Sequence, residues 1–354
     1  SKGWLITVLP IGLILGIVAS LVPVIVIAVI IMAVVMLIRR RQRYGDDPGI
    51  GTLKRLYFYT ISFAALMAVA NGVFLLVDSV GDVLLAQDVF SSGETQLALG
   101  LALSLVGVPI WLSHWGLSLR AVAQIPWETQ ALARRLYLHV VLTLSAIVSG
   151  FGFVGLFRWW LGVEGFDGRH IALPVVWGLV WAFHWRQVDL ETRDYSADDL
   201  IRPLYVYAAS LVGLVMLLVG VGIILQHLFL LAYDSIASTE LMASTVSGLW
   251  NNTMDTAMAL AVTGGVIWWW HWHRGANTTG TPAAGTGADV RWVYLYIFTI
   301  FLGSTTVVVS LSIVLFRLIS WWLGSVDFGP GDYFRALPNA IAALVAGGAL
   351  WGYH

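Results

Sequence analysis

The chain contains no cysteine and few charged residues. Of its 354 residues, 11% are charged and 59% are hydrophobic, whereas soluble globular proteins are about 25% charged and about 45–50% apolar. The absence of cysteine excludes a disulfide framework, thiolate metal ligation and cysteine catalysis. A net charge of -1 excludes a nucleic-acid-binding patch. The composition predicts an all-α protein that crosses a membrane several times.

Enzyme motifs are also missing. The sequence has no P-loop, no Gly-x-Gly-x-x-Gly before a helix, no His-Glu-x-x-His and no Gly-x-Ser-x-Gly. The loops between the apolar stretches are too short to hold a soluble catalytic domain. We therefore expect a protein that is not an enzyme.

Nine apolar stretches approach or exceed the length of about 20 residues that a helix needs to cross a bilayer. Because they are continuous, they favour helices over the alternating strands of a barrel. The first is unusually long, and we interpret it as one helix bent near Pro10 or Pro23 within a retained anchor, residues 1–45, rather than a signal peptide. The predicted spans are 4–40, 52–81, 96–119, 135–162, 170–187, 203–232, 252–273, 292–323 and 336–354.

The basic residues predict the orientation of these spans. Fourteen of the nineteen lysines and arginines fall on one side, which the positive-inside rule makes cytoplasmic. The N-terminus is then outside, and His354 lies at the cytoplasmic end of the ninth span.

After the first span, one unit is repeated four times, over 52–121, 132–188, 200–274 and 289–354. Each unit opens with a basic residue and then a tyrosine, and its return helix ends with Trp-x-x-His, followed by Trp in three copies. The tyrosines are Tyr57, Tyr137, Tyr205 and Tyr294. The tryptophan and histidine pairs are Trp111 and His114, Trp181 and His184, Trp268 and His271, and Trp351 and His354. Since each unit has two spans, the repeats are parallel and all these side chains share the cytoplasmic depth.

This pattern resembles an uncharacterised family of bacterial integral membrane proteins, built from a repeated two-helix domain of unknown function that opens with Arg-x-Leu-Tyr-x-Tyr. The resemblance covers residues 52–354. It implies repeated two-helix hairpins in a bacterial membrane, and it implies no activity. With the first span added, the predicted architecture is one N-terminal helix plus four parallel hairpins in a bacterial cytoplasmic membrane.

The repeated side chains allow two interpretations beyond an ordinary interfacial belt of Trp and Tyr. In the first, each tyrosine hydroxyl bonds a histidine and holds the hairpins together, for example His114 with Tyr57. In the second, His114, His184, His271 and His354 converge on haem iron or another metal. No carboxylate lies near them in sequence to support a metal site.

Ionisable groups are almost absent from the middle of the spans, which argues against coupled transport. A passive pore along the pseudo-four-fold axis is still compatible with this pattern. Near the outer ends, a polar ring is predicted in which Asp78 pairs with Arg158 or Arg317; its members are Asp78, Arg158, Gln226, His227 and Arg317. Asp255, at the start of the seventh span, is either an ion ligand or a helix-start residue.

These observations favour a scaffold or accessory subunit that contacts the lipid bilayer and other membrane protein subunits. The alternatives are a channel or transporter, and a haem- or metal-binding protein. The sequence leaves open whether the four hairpins close into a ring or form a row.

Overall fold

The computed structural model describes residues 50–86, 93–191, 200–237, 250–275, 286–324 and 329–354. Every regular element in these ranges is helical, which confirms the predicted all-α class for this part of the chain. A helix satisfies its own backbone hydrogen bonds, as a lipid-embedded segment must. The predicted anchor at 1–45, with its span at 4–40, lies outside the described residues.

Eight helices follow one another in the described ranges. They are α1 (Ile50–Gly81), α2 (Gly93–Gln124), α3 (Leu132–Trp160), α4 (Arg169–Glu191), α5 (Ile201–Ala237) and α6 (Asn252–Trp269). Helix α7 runs through the consecutive segments Thr286–Val293, Tyr294–Phe301 and Leu302–Trp322. Helix α8 comprises Pro330–Tyr333, Phe334–Ala336 and Leu337–Tyr353. Wider π-helical turns, Asp82–Ala86 and Trp270–Gly275, extend α1 and α6.

Six of these helices, α1, α2, α3, α5, α7 and α8, are long and apolar enough to cross a membrane. The protein is therefore a multi-pass membrane protein in contact with lipid. Helices α4 and α6 are not among the six, and the first predicted span is not described, so the count of nine spans stays a prediction.

Successive helices pair as antiparallel hairpins: α1 with α2, α3 with α4, α5 with α6, and α7 with α8. Glycines bring the two helices of a hairpin into backbone contact. A Cβ at Gly213 of α5 would lie 2.4 Å from the backbone nitrogen of Trp268 on α6, and one at Gly264 would lie 2.5 Å from that of Leu217. Such close packing of small residues stabilises helix pairs in lipid, where burial of apolar surface supplies little driving force.

The hairpins form a row. The first helix of each hairpin packs on the return helix of the next, so that α1 contacts α4, α3 contacts α6 and α5 contacts α8. Among the helix pairs that pack extensively in the described ranges, none joins the fourth hairpin to the first. Helices α2 and α7, at the two ends of the row, are the least buried of the six spanning helices.

Much of the described core lies at one end of the bundle, where α1, α3, α5 and α7 begin and their return helices finish. We call this the motif end. It contains two clusters of buried aromatic and aliphatic side chains that run across the hairpin boundaries. Their buried members are Tyr59, Leu66, Trp115, Tyr137, Leu138, Val141, Leu142, Val188, Tyr205 and Val206 in one, and Tyr207, Leu214, Tyr294 and Leu350 in the other.

Candidate functional site

Two of the four repeated tyrosines lie in matching hydrogen-bonded groups at the motif end. The Tyr205 hydroxyl is 3.1 Å from Nε2 of His271, in its own hairpin, and accepts a hydrogen bond of 2.8 Å from the Trp181 indole of the preceding hairpin. In the second hairpin, Tyr137 is 3.4 Å from Nε2 of His184 and accepts from the Trp111 indole at 3.4 Å. One hydroxyl therefore joins neighbouring hairpins in both cases.

The histidine backbone contacts set the direction of these bonds. Nδ1 of His184 lies 2.8 Å from the carbonyl oxygen of Val180, and Nδ1 of His271 lies 2.8 Å from that of Ile267. Because a carbonyl only accepts, Nδ1 carries the hydrogen and Nε2 accepts from the tyrosine. Both ring nitrogens of these two histidines are thus engaged within the protein, and neither offers a free lone pair to a metal.

The outer two copies differ. Tyr57 is 67% exposed, and the ring of its predicted partner His114 lies beside Phe58, with 5.1 Å between centroids. In the fourth hairpin the rings of Tyr294 and His354 are 6.0 Å apart, and no hydrogen bond joins the Tyr294 hydroxyl to Nε2 of His354. Within these ranges, the predicted hydrogen bond between the repeated tyrosine and the histidine is therefore seen in the second and third hairpins alone.

Every buried copy of the tyrosine also sits among aromatic rings of the preceding hairpin. Each contacts the aromatic or histidine residue that lies two positions after the preceding tyrosine, and the last Trp of the preceding Trp-x-x-His-Trp motif. Ring centroids lie 5.6 and 6.2 Å from Tyr137 (Tyr59, Trp115), 5.9 and 6.3 Å from Tyr205 (His139, Trp185), and 5.5 and 5.3 Å from Tyr294 (Tyr207, Trp272). We call this arrangement the junction.

A buried ion pair reinforces the first junction. Nε and Nη2 of Arg134 on α3 donate to both carboxylate oxygens of Glu191 on α4, at 3.0 and 2.6 Å. Its Nη1 also donates to the hydroxyls of Tyr59 and Ser118 in the first hairpin. The Arg134 side chain is fully buried and that of Glu191 is 5% exposed. Sequence analysis missed this group: Arg134 occupies the basic position before the tyrosine, but Glu191 lies beyond the predicted span 170–187.

The predicted outer ring is dispersed at the opposite end. Arg158 pairs with Glu164 at 2.6 Å, and Arg317 donates to the Tyr333 carbonyl at 3.1 Å. In the third hairpin, Gln226 and His227 line a small cavity of about 80 Å³. The structure therefore does not bring Arg158 or Arg317 to Asp78.

Asp78 instead lies with two other acids. One carboxylate oxygen from each of Asp78, Asp82 and Asp167 lies within 4.8 Å of the others, and carboxylate oxygens are the ligands that Ca²⁺ and Mg²⁺ prefer. Asp167 already pairs with Arg169 at 2.6 Å, and Asp82 accepts from the Gly168 backbone N–H at 2.7 Å. Burial raises the pKa of Asp167, but its hydrogen bonds from Arg169 outweigh this and hold the pKa below its usual value. The group is thus partly neutralised by the chain itself.

Asp255 lies in the first turn of α6 and is 4% exposed. Helix capping is carried out by Asn251, whose side-chain oxygen accepts from the backbone N–H groups of Thr253 and Met254, both at 3.0 Å. The Asp255 carboxyl group therefore lies near a helix N-terminus, where the helix dipole favours acidic side chains, and its Oδ1 has no hydrogen-bond partner among the described residues.

Comparison with known proteins gives one family. A family model described as a domain of unknown function, DUF5671, matches residues 55–169 and 204–349. No curated protein and no solved structure matches the chain. The two stretches agree with the repeated organisation expected from the sequence and together take in most of the chain. The protein therefore belongs to the DUF5671 family.

Proposed function

We propose that this protein is a non-enzymatic scaffold, a structural subunit of a larger complex in the bacterial cytoplasmic membrane. The observation that carries the proposal is the contrast between the inside of the row and its ends. Inside, the motif side chains are engaged with one another. At the ends, the helices α2 and α7 present broad apolar faces that are not covered by any other described residue.

The interior chemistry supports a structural role. The Tyr205 hydroxyl and the ring nitrogens of His271 are taken up in holding hairpins together, and the carboxylate of Glu191 is bound to Arg134. A polar contact between membrane helices stabilises their packing by about 0.6–2 kcal/mol. These groups hold the helices together, and such rigid packing is what a scaffold requires.

Helix α7 supports a role in assembly. It exposes more than half of several aromatic side chains, a residue class enriched where proteins meet. They are Trp292 at 54%, Tyr296 at 55%, Phe301 at 66%, Phe316 at 67% and Trp322 at 82%.

The alternatives receive less support. A pore along a pseudo-four-fold axis needs hairpins closed around that axis, whereas the described hairpins pack as a row. A haem or metal site built from the four histidines needs free ring nitrogens, and those of His184 and His271 are engaged. We also propose, from the basic residues, that the motif end faces the cytoplasm.

Native mass spectrometry of the protein, taken from its own membrane in mild detergent, tests the proposal. A scaffold should carry the mass of further subunits, whether copies of itself or different chains. A bare monomer would contradict the proposal, and added mass equal to haem or a metal ion would favour the cofactor alternative. Ion flux through liposomes that disappears in Asp255→Ala would favour a channel.

A further inference from the structure

The repeated tyrosine is buried in three hairpins and exposed in one. Tyr137, Tyr205 and Tyr294 are 5%, 7% and 2% exposed, whereas Tyr57 is 67% exposed. The difference follows from the row. Each buried tyrosine lies against the preceding hairpin, and no preceding hairpin is described for Tyr57. Within the described part of the chain, the first hairpin therefore presents a tyrosine without a junction around it.

The opposite end of the row shows the converse. Two positions after the repeated tyrosine, the residues Tyr59, His139 and Tyr207 are at most 5% exposed, whereas Tyr296 is 55% exposed. The first motif tryptophan is partly buried in three hairpins, whereas Trp351 is 50% exposed. Among the described residues, the fourth hairpin therefore presents one wall of a junction, Tyr296, and the counterpart of the indole donor, Trp351, without a tyrosine between them.

The two ends are complementary in their polar groups as well. In two interior junctions a tryptophan indole donates to the tyrosine of the next hairpin, and that tyrosine meets its own histidine. At the first hairpin, the exposed Tyr57 hydroxyl can accept a hydrogen bond from an indole N–H. At the fourth, the Trp351 indole is the corresponding donor. If the two ends met, the indole-to-tyrosine hydrogen bond of these two junctions would recur between Trp351 and Tyr57.

We infer that a second copy of this chain docks head to tail, with Tyr57 of one copy between Tyr296 and Trp351 of the other. The interface repeats the contact between the tyrosine and the residue two positions after the preceding tyrosine, which occurs three times within the chain, and the indole-to-tyrosine hydrogen bond, which occurs twice. The inference rests on the proposed scaffold function and names its partner. Because the contact is heterologous, it closes into a ring or extends into a filament.

The absence of cysteine permits a clean crosslinking test. Two differently tagged chains are made, one carrying Leu56→Cys and the other Gly352→Cys, so that Tyr57 and Trp351 both remain in place. Oxidation in native membranes should join the two tags in one disulfide-linked dimer. Phe151→Cys, at a side chain that is 72% exposed on α3, replaces Leu56→Cys in the control pair and should give background crosslinking.

Dependence on the junction residues completes the test. Adding Tyr57→Ala or Trp351→Ala should reduce the crosslinked dimer about tenfold, as truncating a central aromatic anchor commonly does. Adding Phe151→Ala should leave it unchanged. Crosslinking no stronger than the control pair would overturn the inference and leave Tyr57 and Trp351 as part of an aromatic belt at the lipid surface.

Two further outcomes would also overturn it. A disulfide within one chain between Leu56→Cys and Ile30→Cys would show that the first predicted span covers this end. Equal crosslinking between two Leu56→Cys chains would indicate a symmetric contact in place of a head-to-tail one. If crosslinking fails while native mass spectrometry still finds other subunits, the scaffold function stands and only the self-assembly falls.

Discussion

Removing the carboxylate of Glu191 should strongly destabilise the bundle. Arg134 is fully buried, and in Glu191→Ala its guanidinium would keep, as hydrogen-bond partners, the hydroxyls of Tyr59 and Ser118. Breaking a buried ion pair by removing one partner lowers the free energy of unfolding by about 3–5 kcal/mol, because the remaining charge is left uncompensated. We expect a loss of this size, with Arg134 remaining charged.

A double variant distinguishes destabilisation caused by the unpaired charge of Arg134 from destabilisation caused by lost packing. Arg134→Met with Glu191→Leu removes both charges and keeps apolar volume, so it should recover most of the stability that Glu191→Ala loses. The matched control is Glu164→Ala, which breaks the partly exposed pair with Arg158 and a long contact with His170 and should lower the stability by less than about 1 kcal/mol.

Unfolding is followed by tryptophan fluorescence during titration of the detergent-solubilised protein with SDS. The chain has 18 tryptophans, and Trp115 lies 5.5 Å from the Arg134 guanidinium carbon, so the site contributes to the signal. If Glu191→Ala is no less stable than Glu164→Ala, the buried pair does not hold the hairpins together and the reasoning is refuted.

Three further outcomes are expected, the first two measured by the same titration. Gly213→Ala should lower the free energy of unfolding by about 1–3 kcal/mol, since its Cβ would lie 2.4 Å from a backbone nitrogen of α6. The control Gly222→Ala, on the same helix with nothing within 4 Å of its Cβ, should be neutral or stabilising. Equal effects of the two substitutions would contradict the close packing at Gly213. Tyr205→Phe should lose about 1–3 kcal/mol by leaving buried partners unpaired, whereas Tyr353→Phe, 55% exposed, should lose less than about 0.5. Visible absorption spectra of the purified protein should show no haem band; a band abolished by His271→Ala would refute the structural role of that ring.

Much of the helix pattern could be predicted from local sequence. The predicted span 135–162 corresponds to α3 (Leu132–Trp160), and 170–187 to α4 (Arg169–Glu191). Continuous apolar runs identify helices because, outside a closed barrel, only a helix satisfies all backbone hydrogen bonds in lipid. The repeated Tyr, Trp and His could also be identified as candidate site residues from the sequence, since their spacing recurs in every unit.

The partners of those side chains could not be predicted in the same way. Tyr205 bonds its own histidine but takes its tryptophan from the preceding hairpin, a choice set by how the hairpins pack. Arg134 finds Glu191, which lies beyond the predicted end of the return helix. Asp78, expected to meet Arg158 or Arg317, lies with Asp82 and Asp167, because its surroundings depend on the rotation of α1 against its neighbours.

The sequence by itself determined that the protein is helical, membrane-embedded and repetitive, since composition and periodicity act locally along the chain. The tertiary structure alone decided that the hairpins form a row with two unlike ends. Similar units offer similar surfaces at every boundary, so local pattern cannot distinguish a closed ring from an open row. Only the packing of whole hairpins shows which copies of the motif are buried and which remain open.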